Sequence, residues 1–195
     1  GEEFDKDDIG NIYKANGKGF AIDSGVDVKI GGNGTLIEVY EVDPSDKDVY
    51  DEAYNVVVIN TYAAEIIDWT EADEDEDVEE SVTIGELTVP ERYDFDSTTF
   101  ETTKFDEDDA DDSTVVLYTV SLNDDDKYEI QSVDVAERVT ATPTRVTTGT
   151  SFVAGGETYK YAAYYEGDVT SATVKNDEDI DFYLDNYGYV VFVDT

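Results

Sequence analysis

Residues 180–193 read IDFYLDNYGYVVFV. Ile180 to Leu184 and Tyr189-Val190-Val191-Phe192-Val193 are rich in β-formers, and Asp185-Asn186-Tyr187-Gly188 between them supplies turn residues. Strand, four-residue turn, strand is the pattern of a β-hairpin, with Gly188 where such a loop commonly needs positive φ. The same pattern stands 154 residues earlier in 26–39, VDVKIGGNGTLIEV. Without a gap, Asp27 falls on Asp181, Val28 on Phe182, Ile30 on Leu184, Asn33 on Tyr187, Gly34 on Gly188 and Val39 on Val193. Upstream, Gly10-Asn11-Ile12-Tyr13-Lys14 resembles Gly156-Glu157-Thr158-Tyr159-Lys160 at a spacing of 146, the 8-residue difference being a loop insertion. Order and spacing together indicate an internal repeat. Chance likeness between two hairpins of a common type is the competing explanation.

Working outward, the chain is nearly all β. Strands are expected at 26–30, 36–42, 54–62 (YNVVVINTY, almost continuously apolar and therefore central), 64–69, 82–89, 115–121, 128–136, 138–147, 158–161, 180–184 and 189–193. Helical signals are weak: one turn at 48–55 and another within 161–171. The expected fold is all-β, small barrel or sandwich modules in tandem with little helix. Residues 138–195 read as a complete small β-module and 1–42 as the C-terminal part of a second copy. Residues 43–137 between them form a highly acidic β-module of a different kind. The first copy lacks a counterpart of 138–153. Either the chain is a slice of a tandem array, or a neighbouring subunit adds a strand to an open sheet edge.

The 195 residues carry 50 acidic and 12 basic side chains, a formal net charge of -38, with no His, Cys or Met, 15 Tyr and one Trp. Binding to nucleic acid or to an anionic membrane surface needs Lys and Arg against phosphates, so neither is an expected partner, and no apolar run is long enough to insert in a membrane. Without His or Cys there is no thiol nucleophile, imidazole base, conventional zinc site or disulfide framework. The charge is unevenly placed. Residues 1–42 hold 9 acids and 4 bases, residues 138–195 also 9 and 4, and residues 43–137 hold 32 and 4. Global salt adaptation would spread the acid more evenly.

The acidic runs are candidate calcium ligands: Asp73, Asp75 and Asp77; Asp106, Asp108, Asp109, Asp111 and Asp112; Asp177, Asp179 and Asp181. A run at 123–126 is similar. Ca²⁺ takes six to eight oxygens, which clustered carboxylates on loops can supply. None of the runs has the EF-hand glycine at position six, and a solvated, self-repelling loop is the plainer reading. Calcium is the one cofactor the sequence suggests.

Tyr161, Tyr164, Tyr165, Tyr187 and Tyr189, with Tyr183, crowd the last module. An aromatic strip can stack on sugars or anchor a protein interface, but alternate tyrosines can equally fill a small barrel and its rim. Trp69, at a strand end, reads as core. With 50 carboxylates a glycosidase-like pair carries no information, no S-x-x-K motif is present, and Gly31-Gly32-Asn33-Gly34 is a turn rather than a phosphate loop. No enzyme is expected.

Val57-Val58-Ile59-Asn60-Thr61-Tyr62-Ala63-Ala64-Glu65-Ile66, the Val116-Leu117-Tyr118-Thr119 strand, Tyr159-Lys160-Tyr161 and the 183–193 hairpin resemble the β-rich repeat region of large secreted surface proteins of gut Firmicutes, which carry S-layer homology domains elsewhere in the chain. The resemblance implies an extracellular, non-enzymatic assembly module of a surface layer, fibre or adhesin stalk, located at the cell wall or surface. Its partners would be further copies or neighbouring modules. The S-layer homology motif itself is absent, so no anchoring residue carries over. The alternative is a carbohydrate- or host-protein-binding module that uses the tyrosine-rich face.

Overall fold

A computed structural model describes residues 9–14, 19–20, 32–41, 54–75, 77–85, 94–105, 114–123, 125 and 127–194. The strands are β1 (Ile9–Lys14), β2 (Gly19–Phe20), β3 (Leu36–Glu41), β4 (Tyr54–Ile59), β5 (Tyr62–Thr70), β6 (Ser81–Gly85), β7 (Thr99–Glu101), β8 (Val115–Leu122), β9 (Tyr128–Val135), β10 (Glu137–Ala141), β11 (Pro143–Thr147), β12 (Ser151–Ala154), β13 (Glu157–Glu166), β14 (Ile180–Leu184) and β15 (Val190–Asp194). A single short helix, α1 (Ser171–Asn176), is present among the described residues. The fold is all-β, as the alternation of residues anticipates. Three sheets form, in the orders β2-β1-β4-β3, β7-β6-β5-β8-β9 and β10-β14-β15-β13-β12-β11.

The six-stranded sheet curls round on itself. Its two edge strands, β10 and β11, are separated in sequence by Thr142 alone, so one bent strand serves both edges. Counting that bent strand as the first, the order is 1-2-3-5-4-1, with β13 and β15 parallel and the helix between the third and fourth strands. This is the connectivity of an OB barrel. Phe152, Phe182, Val190 and Tyr161 fill the interior, and Val174 of α1 packs over one end. Thr170 caps α1, its Oγ1 accepting from the Ala172 and Thr173 amides at 3.2 Å each. The Tyr161 hydroxyl reaches the Val169 amide, which donates to it at 2.9 Å, so the largest polar group inside the barrel is satisfied.

The five-stranded sheet is antiparallel throughout and builds a second core from Tyr62, Ile66, Val82, Ile84, Tyr118 and Val133. Strand β8 shows why its sequence is almost continuously apolar. Val116, Tyr118 and Val120 face this core, while Val115 and Leu117 point the other way. There they meet Ala162, Tyr183 and Val191 of the barrel in a third cluster that also includes Ala63 and Ala136. The two sheets therefore pack back to back through a seam.

Several sequence expectations need correction. The helical turn within 161–171 is misplaced: β13 continues to Glu166, and the helix begins at Ser171, where the Thr170/Thr173 capping box lacks the usual Glu. Residues 138–147 are two strands bent at Thr142, because one barrel strand must turn a corner. Strands β2 and β7 carry too little sequence to be read, and 26–30 and 48–53 lie outside the described residues. The repeat alignment sets β1 against β13 and β3 against β15, which are a parallel pair in the barrel. Here β4 stands between β1 and β3, parallel to β1 and antiparallel to β3. Its Val56-Val57-Val58-Ile59 run suits a strand flanked on both sides. Strand β4, which follows residue 42 in sequence, pairs with both β1 and β3, and the barrel strands run from β10 to β15.

Burial pushes the Tyr161, Tyr165 and Tyr183 phenols above the ordinary tyrosine value. A raised folded-state pKa gives stability that is complete below the unfolded value, about 10, and lost as pH climbs through the folded values. The melting temperature is expected to fall steeply above about pH 10. Absorbance titration of phenolate should show Tyr161→Phe deleting one of the late-titrating groups.

Candidate assembly joint and cation sites

The turn at residues 32–35 leads into β3 of the first sheet yet lies on the barrel. Strand β13 pairs with β15 at Tyr161↔Val190 and again at Glu166↔Phe192, with a bulge between that leaves backbone groups of β13 unpaired by β15. Asn33 fills this gap. Its carbonyl accepts from the Ala163 amide at 2.8 Å, and its Nδ2 donates to the Tyr161 carbonyl at 2.9 Å. Thr35 Oγ1 donates to the buried Asn60 Oδ1 at 3.0 Å, tying the turn to the link between β4 and β5. Two glycines allow the approach. A Cβ on Gly32 would stand 2.6 Å from the Ala163 Cβ, and one on Gly34 would stand 2.2 Å from Asp185 Oδ2.

Asp185 is the organising residue of the opposite turn. It is 3% exposed, and its Oδ1 accepts from the Tyr187 and Tyr189 amides at 2.8 and 2.9 Å. Its Oδ2 is buried against Gly34 with no hydrogen-bond partner among the described residues. Sequence reading saw Asp185 only as a turn residue; the D-N-x-G spacing of an Asx turn was the available signal. Asp185→Ala is expected to cost about 1–3 kcal/mol, because two partly buried turn amides lose their acceptor. Chemical denaturation checks it, and Asp185→Asn, which keeps Oδ1, should lose less.

The expected tyrosine strip does not form one face. Tyr161 is buried in the barrel, stacked on half-buried Tyr165 with centroids 4.2 Å apart. Tyr164 packs on Tyr62 of the five-stranded sheet, Tyr189 packs at the seam, and Tyr187 stands 57% exposed on the 185–188 turn. Trp69 packs against the core of the five-stranded sheet.

The carboxylates are dispersed in the same way. Asp73 and Val78 exchange backbone hydrogen bonds of 2.9 Å across a tight turn; Asp73 Oδ1 accepts from the Asp75 amide, and Asp77 has φ +58°. Asp177 ends α1 in the left-handed conformation, Asp179 accepts from Thr142, and Asp181 accepts from Thr140 and pairs with Arg138. The hydrogen bonds from Arg138 and Thr140 hold the Asp181 carboxyl below the usual carboxylate range. Asp106, Asp108, Asp109, Asp111 and Asp112 lie outside the described residues. Among the described residues no three acidic side chains converge as a metal centre, and no helix is long and apolar enough to cross a membrane.

No protein-family model, curated protein or solved structure matches this chain. The OB connectivity of 137–194 rests on strand order and pairing, and a connectivity alone assigns no activity. What the geometry can do is mechanical: it fixes one β-unit against the next through a turn, a bulge and a glycine–carboxylate contact.

Proposed function

We propose that this chain is a non-enzymatic structural module of an extracellular surface protein, part of a layer, fibre or stalk built from stacked β-units. The observation that carries the reading is the joint at 32–35, where Asn33 completes the broken edge of β13 and two glycines admit close packing. The aromatic side chains among the described residues support it, since most are spent inside the cores and along the seam rather than on an open platform. Assembly with neighbouring modules, and calcium held by the acid-rich segments around 71–80 and 106–112, belong to the same proposal.

Electron microscopy of the purified chain across concentration, with and without millimolar CaCl₂, tests it. Filaments, sheets or end-to-end particles are expected, and monodisperse monomers under every condition argue against assembly. Melting temperature should rise and saturate at low millimolar CaCl₂, whereas dependence on molar KCl alone would mean diffuse screening.

One observation favours a second reading, a carbohydrate- or protein-binding module. Tyr187 is largely exposed on the loop between the last two barrel strands, a loop that borders the ligand site in many OB barrels. A glycan array with wild type and Tyr187→Ala decides it: a signal lost in the variant supports binding, and a blank array removes it.

A further inference from the structure

Where β13 crosses the seam, the two sheets part around a cavity of about 200 Å³. Tyr62 comes from the five-stranded sheet and Tyr164 from the barrel; their rings pack on each other with centroids 5.2 Å apart and planes inclined at 42°, and both border the cavity. Ala63, Ala163 and Val191 add only apolar wall. Glu166, half-buried at the end of β13, lines the same cavity, and no ion pair among the described residues includes it.

The chemistry that fits is narrow. Ring faces attract a cation through their quadrupole, and an unpaired carboxylate beside them supplies the counter-charge in a partly water-excluded site. A sugar needs several donors and acceptors bracketing its hydroxyls, whereas this lining offers one carboxylate and the phenol groups. An anion would meet Glu166 and the field of a chain carrying -38. We propose that the seam cavity binds a small alkylammonium ion, of the size and charge of choline. The inference does not depend on the assembly reading, because it uses only the walls of the cavity.

The test is a titration of the ¹⁵N-labelled full chain with choline chloride at constant ionic strength, beside its uncharged isostere 3,3-dimethylbutanol and beside glucose. Saturable shifts at the Ala63, Ala163 and Val191 amides are expected, with a dissociation constant on the order of 1 mM and the isostere at least about ten-fold weaker. Tyr164→Ala and Glu166→Gln should each weaken choline about ten-fold, and Tyr164→Phe should keep it within about two-fold. If Tyr164→Ala does not fold, Tyr164→Phe and Glu166→Gln carry the comparison. Equal affinity for the isostere, shifts elsewhere on the surface, no saturation, or glucose binding in place of choline each overturns the proposal.

Discussion

Phe152→Ala is expected to destabilise the barrel by about 3–5 kcal/mol. Phe152 is 1% exposed and sits at the centre of an aromatic cluster. Its ring meets Phe182 edge-on with centroids 5.0 Å apart, and Tyr159 and Tyr161 each at 5.7 Å. Removing the ring loses its transfer free energy and leaves a void that β12, held on both sides by β11 and β13, can collapse only in part. For a unit of this size with a typical margin of about 5–15 kcal/mol, the melting temperature should drop by roughly 6–20 °C. Thermal denaturation followed by near-ultraviolet circular dichroism measures it. Tyr187→Ala, at an exposed aromatic, should change stability by no more than about 0.5 kcal/mol.

The second large effect is expected at Gly34→Ala. Gly34 has φ +77°, and the added Cβ would lie 2.2 Å from Asp185 Oδ2, a carboxylate pinned by two amides. Backbone strain and displacement of the turn together should cost about 3 kcal/mol. Gly188 is the matched control: its φ is +80°, it occupies the aligned position in the turn between β14 and β15, and a Cβ there meets nothing within 4 Å. Gly188→Ala should cost only the backbone share, about 1–2 kcal/mol. The difference between the two variants isolates the joint, and equal losses would mean that the Asp185 contact contributes nothing.

Much of this architecture was legible because burial leaves a period in the sequence. The hairpin of β14 and β15 forms where its turn residues place it, and β8 is apolar on both faces because it faces a core on one side and the seam on the other. The corner at Thr142 was missed although its signals are local: Pro143 follows it, and the inward positions shift from Val139 and Ala141 to Val146 across a bulge between Pro143 and Arg145. Residues 161–166, YAAYYE, hid their strand because Ala162 and Ala163 lie where another chain segment comes close, and small residues there resemble helix formers. The joint was beyond reach for another reason: Asn33 and Tyr161 are 128 positions apart, and neither residue type announces the contact. Of the expected site residues, the tyrosines were legible as a group that could fill a barrel and its rim, but the division of Tyr161 and Tyr165 to the barrel, Tyr189 to the seam and Tyr187 to an exposed turn was not. Asp179, read as a metal ligand, accepts from Thr142, and Asp181, read likewise, accepts from Thr140 and pairs with Arg138.

The central claim is that successive β-units are locked together, and amide hydrogen exchange at Ala163 tests it most directly. That amide donates to Asn33 across the joint and has no other partner among the described residues. The account predicts protection comparable to that of the barrel amides of Val190 and Val191, with a selective loss in Gly34→Ala. Free exchange at Ala163 in the wild-type chain, while the barrel core stays protected, would contradict it.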